Sequence, residues 1–188
     1  MSKTILIDID DTIENLCETW VSLLNKQYGT SVKYDEITEW DISKFFPLLT
    51  KEQVYEPLHN PALWSYVEPK PGAVEYVKKL IDEGYNVYLC TTTDYRNVKP
   101  KFESVIQKHF PYIKWSQVII ASQKQMINAD VLIDDGTHNL ENGNYIKILV
   151  SASHNKSYDA ASNGMHRADT WEEIYSLIHS LIGEPYES

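Results

Sequence analysis

The stretch ILIDIDDTI, residues 5–13, decides the fold. Begun at Thr4, an apolar strand pattern runs unbroken into Asp8, Asp10 and Asp11. Carboxylates set so close repel one another. Such a strand end is worth its electrostatic cost only if something positive belongs there.

Working outward, Leu16, Trp20, Leu23, Leu24 and Tyr28 recur at helical spacing, and Gly29 closes that helix. Residues 30–68 are mixed, aromatic and broken by Pro47, Pro57 and Pro61, which reads as short helices and loops. Pro71-Gly72 opens a helix carrying Ala73, Val74, Val77, Leu80 and Ile81 on one face, ended by Gly84. Four further apolar runs read as strands: YNVYLC (85–90), QVIIA (117–121), DVLID (130–134) and YIKILV (145–150). A helix is expected from Val98 to Phe110 with Pro100 in its first turn, and a closing helix through Trp171, Ile174, Tyr175, Ile178 and Leu181.

Short apolar strands alternating with amphipathic helices predict a three-layer α/β core with a parallel five-stranded sheet. Roughly 60 residues separate the first strand from the core helix at 71, too many for a plain crossover. The expectation is a core made of 1–13 and 71–188, with residues 14–70 inserted after the first strand as a small helical cap.

Composition narrows the function. The net charge is −10 and no basic run occurs, which argues against a nucleic-acid polymer or an anionic membrane as partner. No stretch approaches a transmembrane length. Acids interrupt the first apolar run too early for a signal peptide, and Cys17 and Cys90 read as buried reduced thiols, so a cytoplasmic protein is expected.

In open parallel sheets, ligands bind beyond the carboxyl ends of the strands. Those ends carry Asp8, Asp10 and Asp11, then Thr91, Thr92 and Thr93, then Lys124, then Asp134 and Asp135. Hard oxygen donors without His or Cys suit Mg²⁺, which shares a phosphate oxygen. A carboxylate there can act as nucleophile toward phosphorus, and a neighbour can serve as acid and base. Thr91 and Lys124 would hold phosphate oxygens. Alone, DIDDT reads equally well as a solvated strand end or a helix cap, and Lys124 as a surface lysine. Their joint order favours chemistry.

That order, Asp8-Ile9-Asp10-Asp11-Thr12, Thr91, Lys124 and Asp134-Asp135, resembles the four motifs of the haloacid dehalogenase superfamily of phosphohydrolases. Glu68-Pro69-Lys70-Pro71-Gly72-Ala73-Val74-Glu75, Leu89-Cys90-Thr91-Thr92, and His154-Asn155 with the tail bearing Trp171 make it similar to the 5'(3')-deoxyribonucleotidases within that superfamily. The resemblance spans roughly residues 4–182. It implies Asp8 as nucleophile, Asp10 as general acid/base with its carbonyl on the metal, Thr91 and Thr92 at the phosphate, and Lys124 as the motif lysine. It implies a Mg²⁺ site of Asp8, Asp10 and Asp134 or Asp135, and a nucleoside monophosphate as the small-molecule substrate. Members are often homodimers. A phosphate-contacting lysine is placed after the second strand, where Lys99 and Lys101 both stand.

Among the aromatic residues of 14–70, Trp40 with Phe45 or Phe46 is the expected substrate wall, and Leu16 is expected near substrate. All six histidines read as surface or packing residues. The chain departs from the resembled pattern at Asp11, where a glycine is usual. It also has Ser122 and Gly136 where arginines are usual. Two alternatives therefore stand beside the nucleotidase reading: a phosphatase of the same superfamily for another small metabolite, and a catalytically weak binding protein with the same fold.

Overall fold

The computed structural model describes residues 2–185; Met1 and residues 186–188, at the ends of the expected core, lie outside them. Strands β1 (Thr4–Ile7), β2 (Asn86–Thr91), β3 (Val118–Ile120), β4 (Val131–Asp134) and β5 (Ile146–Val150) lie within one residue of the five apolar runs at each end. A sixth strand, β6 (His166–Ala168), corrects the expected five. It is three residues long, and only Ala168 of it is buried, so it lacks a readable apolar pattern. The sheet order is β3-β2-β1-β4-β5-β6, parallel throughout.

Helices α1 (Leu16–Tyr28) and α2 (Lys51–Tyr55) belong to the inserted stretch. Helices α3 (Ala73–Asp82), α4 (Tyr95–Lys101), α5 (Thr137–Leu140) and α6 (Trp171–Ile182) belong to the sheet layers. Alternation along β1 sends Ile5 and Ile7 into one core with Val77, Leu80, Trp171 and Ile178. Leu6 faces the other way, toward Leu132, Leu140, Leu149 and Met165. The central strand is thus covered on both sides, which is why it reads as continuously apolar.

Helix α4 departs from expectation. It begins at Tyr95, where the Asp94 side chain accepts from the Arg96 N–H at 2.9 Å, so Pro100 sits inside the helix rather than in its first turn. Proline cannot donate to the preceding turn. The backbone then widens into a π-helical stretch, Phe102–Gln107, which follows directly on Lys101.

Residues 14–70 carry a small core of their own, with Trp20, Leu24, Ile37, Phe46 and Val54 buried together. The chain leaves and re-enters the sheet layers side by side. Asn15 N–H donates to Glu68 O at 3.0 Å and Lys70 N–H to Ile13 O at 2.9 Å.

Candidate active site

Asp8 follows β1 at the centre of the sheet, with its N–H still donating to Ile133 O at 2.9 Å. Its side chain is buried beside Lys124, which is fully buried in a turn after β3. The Lys124 ammonium bonds Asp8 Oδ1 and, at 2.6 Å, Asp134 Oδ2. Burial alone would lower the Lys124 pKa; Asp8 and Asp134 outweigh it and raise it. Burial pushes Asp8 up to about 7 against the pull of Lys124, with Asp134 and Asp10 adding to the rise.

Asp10 has a different partner. Its Oδ2 accepts from Lys101 Nζ at 2.7 Å, and the same ammonium donates to Thr91 Oγ1 at 3.3 Å. Lys101 is buried and lies 4.6 Å from the Trp64 ring centre. Lys99 points away, toward Glu103. Asp10 Oδ1 is buried and receives no donor. Behind it sits Glu14, fully buried, with no donor on either oxygen. Burial, then the Asp10 and Asp11 charges, push Glu14 well above the usual carboxylate range. Glu14 thus lies buried beside Asp10, and nothing in its local sequence marks it.

Asp11 adopts the left-handed conformation, φ 53°. Asp tolerates that region better than most residues. Its carboxylate accepts from Cys17 N–H at 3.1 and 3.2 Å, capping the start of α1. A glycine would supply the turn but not the cap.

The paired aspartates separate in role. Asp134 is satisfied: Oδ1 accepts from Gly136 N–H at 2.8 Å and Asn139 Nδ2 at 3.0 Å, and Oδ2 is held by Lys124. Asp135 is buried but poorly served, with Thr12 Oγ1 at 3.5 Å and His154 Nε2 at 3.3 Å. Burial and three neighbouring aspartates drive its pKa well up. Asp8, Asp134 and Asp135 each present an oxygen within 4.8 Å of the others. An all-oxygen, under-neutralised, buried set fits a divalent cation such as Mg²⁺.

A cavity of about 410 Å³ opens above these groups. Asp8, Asp10, Asp11 and Asp135 form its floor, with Thr92 and Ser122 at the side. Leu16, Cys17, Trp20, Ile42, Tyr55 and Leu58 form an apolar wall. Thr92 is exposed and donates to Ala121 O at 2.9 Å. Trp40 lines the mouth, edge-on to His138 and His154 at 4.7 and 5.0 Å. Phe46 is instead buried in the core of the inserted stretch and Phe45 packs against that core; neither lines the cavity. His154 and His138, expected as surface or packing residues, pack on Trp40 and also line the cavity.

The position after the aspartate pair, where an arginine is absent, is closely surrounded. A Cβ on Gly136 would lie 2.9 Å from His138 Cε1 and 3.1 Å from Asp134 Oδ1. Asn139 Nδ2 lies at 3.0 Å, so a side chain at this position requires the exposed His138 ring and its neighbours to shift.

The carboxylates predict a pH dependence. Asp8 at about 7 and Asp11 at about 6 sit above their unfolded value of 3.8, so the folded metal-free protein binds more protons than the unfolded chain between these limits. Stability is then greatest at low pH and falls as pH rises through that window. Thermal melts in chelator should show Tm lower by about 5 °C or more at about pH 8 than at about pH 5. A flat or rising Tm would contradict the burial of these charges, and Asp8→Asn should flatten the slope.

The model of the family described as 5' nucleotidase, deoxy (pyrimidine), cytosolic type C matches residues 2–183. The chain is 35% identical over 176 residues to a 5'(3')-deoxyribonucleotidase of Bacillus subtilis, covering 93% of this chain and 97% of the relative. It is 32% identical to one of Clostridium acetobutylicum, covering 95% and 96%. A haloacid dehalogenase family hydrolase of Deinococcus radiodurans, solved with bound phosphate and sodium, superposes with a TM-score of 0.68 over 97% of both chains at 13% identity, a likeness of fold. Matched along nearly its whole length, the chain belongs to the family described as 5' nucleotidase, deoxy (pyrimidine), cytosolic type C, and is a phosphoric monoester hydrolase with the fold of a haloacid dehalogenase family hydrolase.

Proposed function

We propose that this chain is a Mg²⁺-dependent 5'(3')-deoxyribonucleotidase that dephosphorylates nucleoside or deoxynucleoside monophosphates through a phosphorylated Asp8. The observation that carries the reading is two carboxylates on one cavity floor with different partners, Asp8 on Lys124 and Asp10 on Lys101. Environments that set two carboxylates apart also set their roles apart.

Lys124 occupies Asp8 Oδ1, which leaves Oδ2 to attack phosphorus. As the Asp8–phosphorus bond forms, the bond to the leaving oxygen breaks, and Asp10 delivers a proton to that oxygen. Asp10, now ionised, takes a proton from water, whose oxygen displaces Asp8 and releases phosphate. Lys101 bonds Asp10 and Thr91, and Thr92 lines the cavity; in this reading these three hold the phosphate side of the site. Asp8, the Asp10 carbonyl and Asp135 would hold the metal, with Asp134 fixing Lys124 instead. Bound there, Mg²⁺ would neutralise phosphate charge. Residues 14–70 act as the cap, with Leu16 and Trp40 over the leaving group; these residues line the cavity but carry none of the floor.

Phosphate release from ribo- and deoxynucleoside monophosphates, with Mg²⁺ and with chelator, tests the assignment. Deoxynucleotide-selective, Mg²⁺-dependent release is expected. Release from nitrophenyl phosphate alone would keep the chemistry and discard the substrate. Asp10→Asn should lower kcat about 10²-fold or more on a nucleotide and much less on nitrophenyl phosphate, whose leaving group needs no proton. Equal losses on the two substrates would remove Asp10 from the acid role.

A further inference from the structure

Floor and wall of the cavity differ in charge balance. Lys124 and Lys101 neutralise Asp8 and Asp10 from behind, both buried and neither lining the cavity. Beyond the phosphate position the wall presents Glu39, Trp40, Ile42, Tyr55 and Leu58, and among the described residues no lysine or arginine lines the cavity.

Both arginines are committed elsewhere. Arg96 forks onto Asp94 at 2.8 and 3.0 Å. Arg167 donates to Ser151 Oγ, Asn155 Oδ1 and the carbonyls of Asn155 and Tyr158. The position after the aspartate pair is Gly136, which brings no cation to the site. Lys44 pairs with Glu39, but it does not line the cavity.

We propose that Glu39, on a wall without cations, restricts this site to phosphate monoesters whose leaving group carries no negative charge. The restriction rests on the phosphatase reading above. The transferred phosphate is neutralised at the floor. A second anionic group, such as another phosphate or a carboxylate, would face Glu39, and the nearby ammonium of Lys44 is already paired with that carboxylate. The Glu39 side chain is 54% exposed and paired with Lys44, so this repulsion acts through a field that salt and Lys44 both reduce. Glu39 is thereby a specificity residue, and Lys44 a moderator of its field.

Three aryl phosphates of matched shape read this directly: phenyl, 4-carboxyphenyl and 4-aminomethylphenyl phosphate. Expected kcat/KM at low ionic strength runs aminomethyl at or above phenyl, with carboxy lower by about tenfold, the gap narrowing in salt. Glu39→Lys should close or invert the carboxy-to-phenyl ratio, Glu39→Gln should halve the gap or better, and Lys44→Ala should widen it. A carboxy-to-phenyl ratio within about twofold of unity, unmoved by Glu39→Lys, would overturn the proposal. These substrates contain no nucleoside, so a failure on every deoxynucleotide leaves this result standing and rejects only the nucleotide assignment. If nucleotides alone react, a nucleoside 3',5'-bisphosphate against its 5'-monophosphate gives the same ratio. Turnover of none of them removes the phosphatase reading and this inference with it.

Discussion

Asp8→Asn is expected to lower kcat by at least about 10³-fold while leaving the protein folded. An amide nitrogen or oxygen cannot form the phosphorylated carboxylate, and no second carboxylate of the floor sits on Lys124 from the cavity side. Asp134 also bonds that lysine, but it is fully buried and its oxygens are already taken by Gly136, Asn139 and Lys124. The stability side of the same substitution is equally specific. Asp8 is a buried charge opposed by burial, Asp134 and Asp10. Asparagine keeps the shape and removes the charge, so Tm in chelator should stay level or rise. The Mg²⁺-induced rise in Tm should shrink, because a ligand is lost. Residual activity within about tenfold of wild type would remove Asp8 from the nucleophile's role.

The second large effect belongs to Lys124. Lys124→Met would leave Asp8 and Asp134 buried without the ammonium that bonds both. Breaking a buried pair strands charge and costs about 3–5 kcal/mol. Denaturant unfolding in chelator should show that loss at neutral pH. Adding Asp8→Asn to Lys124→Met should recover part of it, because one stranded charge is gone; the two changes are in contact and will not add. Lys101→Met should cost less, since it strands one carboxylate rather than two and that one, Asp10, is part-exposed. A Lys124→Met loss below about 1 kcal/mol, or strict additivity with Asp8→Asn, would contradict the buried triad.

What could be read in advance follows from the physics of each element. Asp8, Thr91, Lys124 and the Asp134-Asp135 pair were legible because a doubly covered strand is continuously apolar, so the polar residues that end it stand out. The exit and return of residues 14–70 were legible from the length of the connection. Strand β6 was not, because three residues with one buried side chain carry no period. Lys101 and Lys99 were indistinguishable by spacing, and the early start of α4 with its π-helical continuation is what accompanies Lys101 at Asp10. Glu14 was missed because burial, not sequence, makes it unusual. Of the aromatic residues expected at a substrate wall, Trp40 lines the cavity, whereas Phe46 reads the same way in sequence and is spent on the core of the inserted stretch. His154 gave no ligand spacing, and only the fold brings it to Asp135.

The central claim is that phosphate passes through Asp8. The most direct test is rapid acid quench of the enzyme during turnover of its best monophosphate, followed by peptide mass analysis. The account predicts a peptide containing Asp8 heavier by one phosphoryl group, seen with Mg²⁺, absent in chelator and absent in Asp8→Asn. Full turnover with no adduct on that peptide at any quench time, or an adduct on another residue, would contradict it.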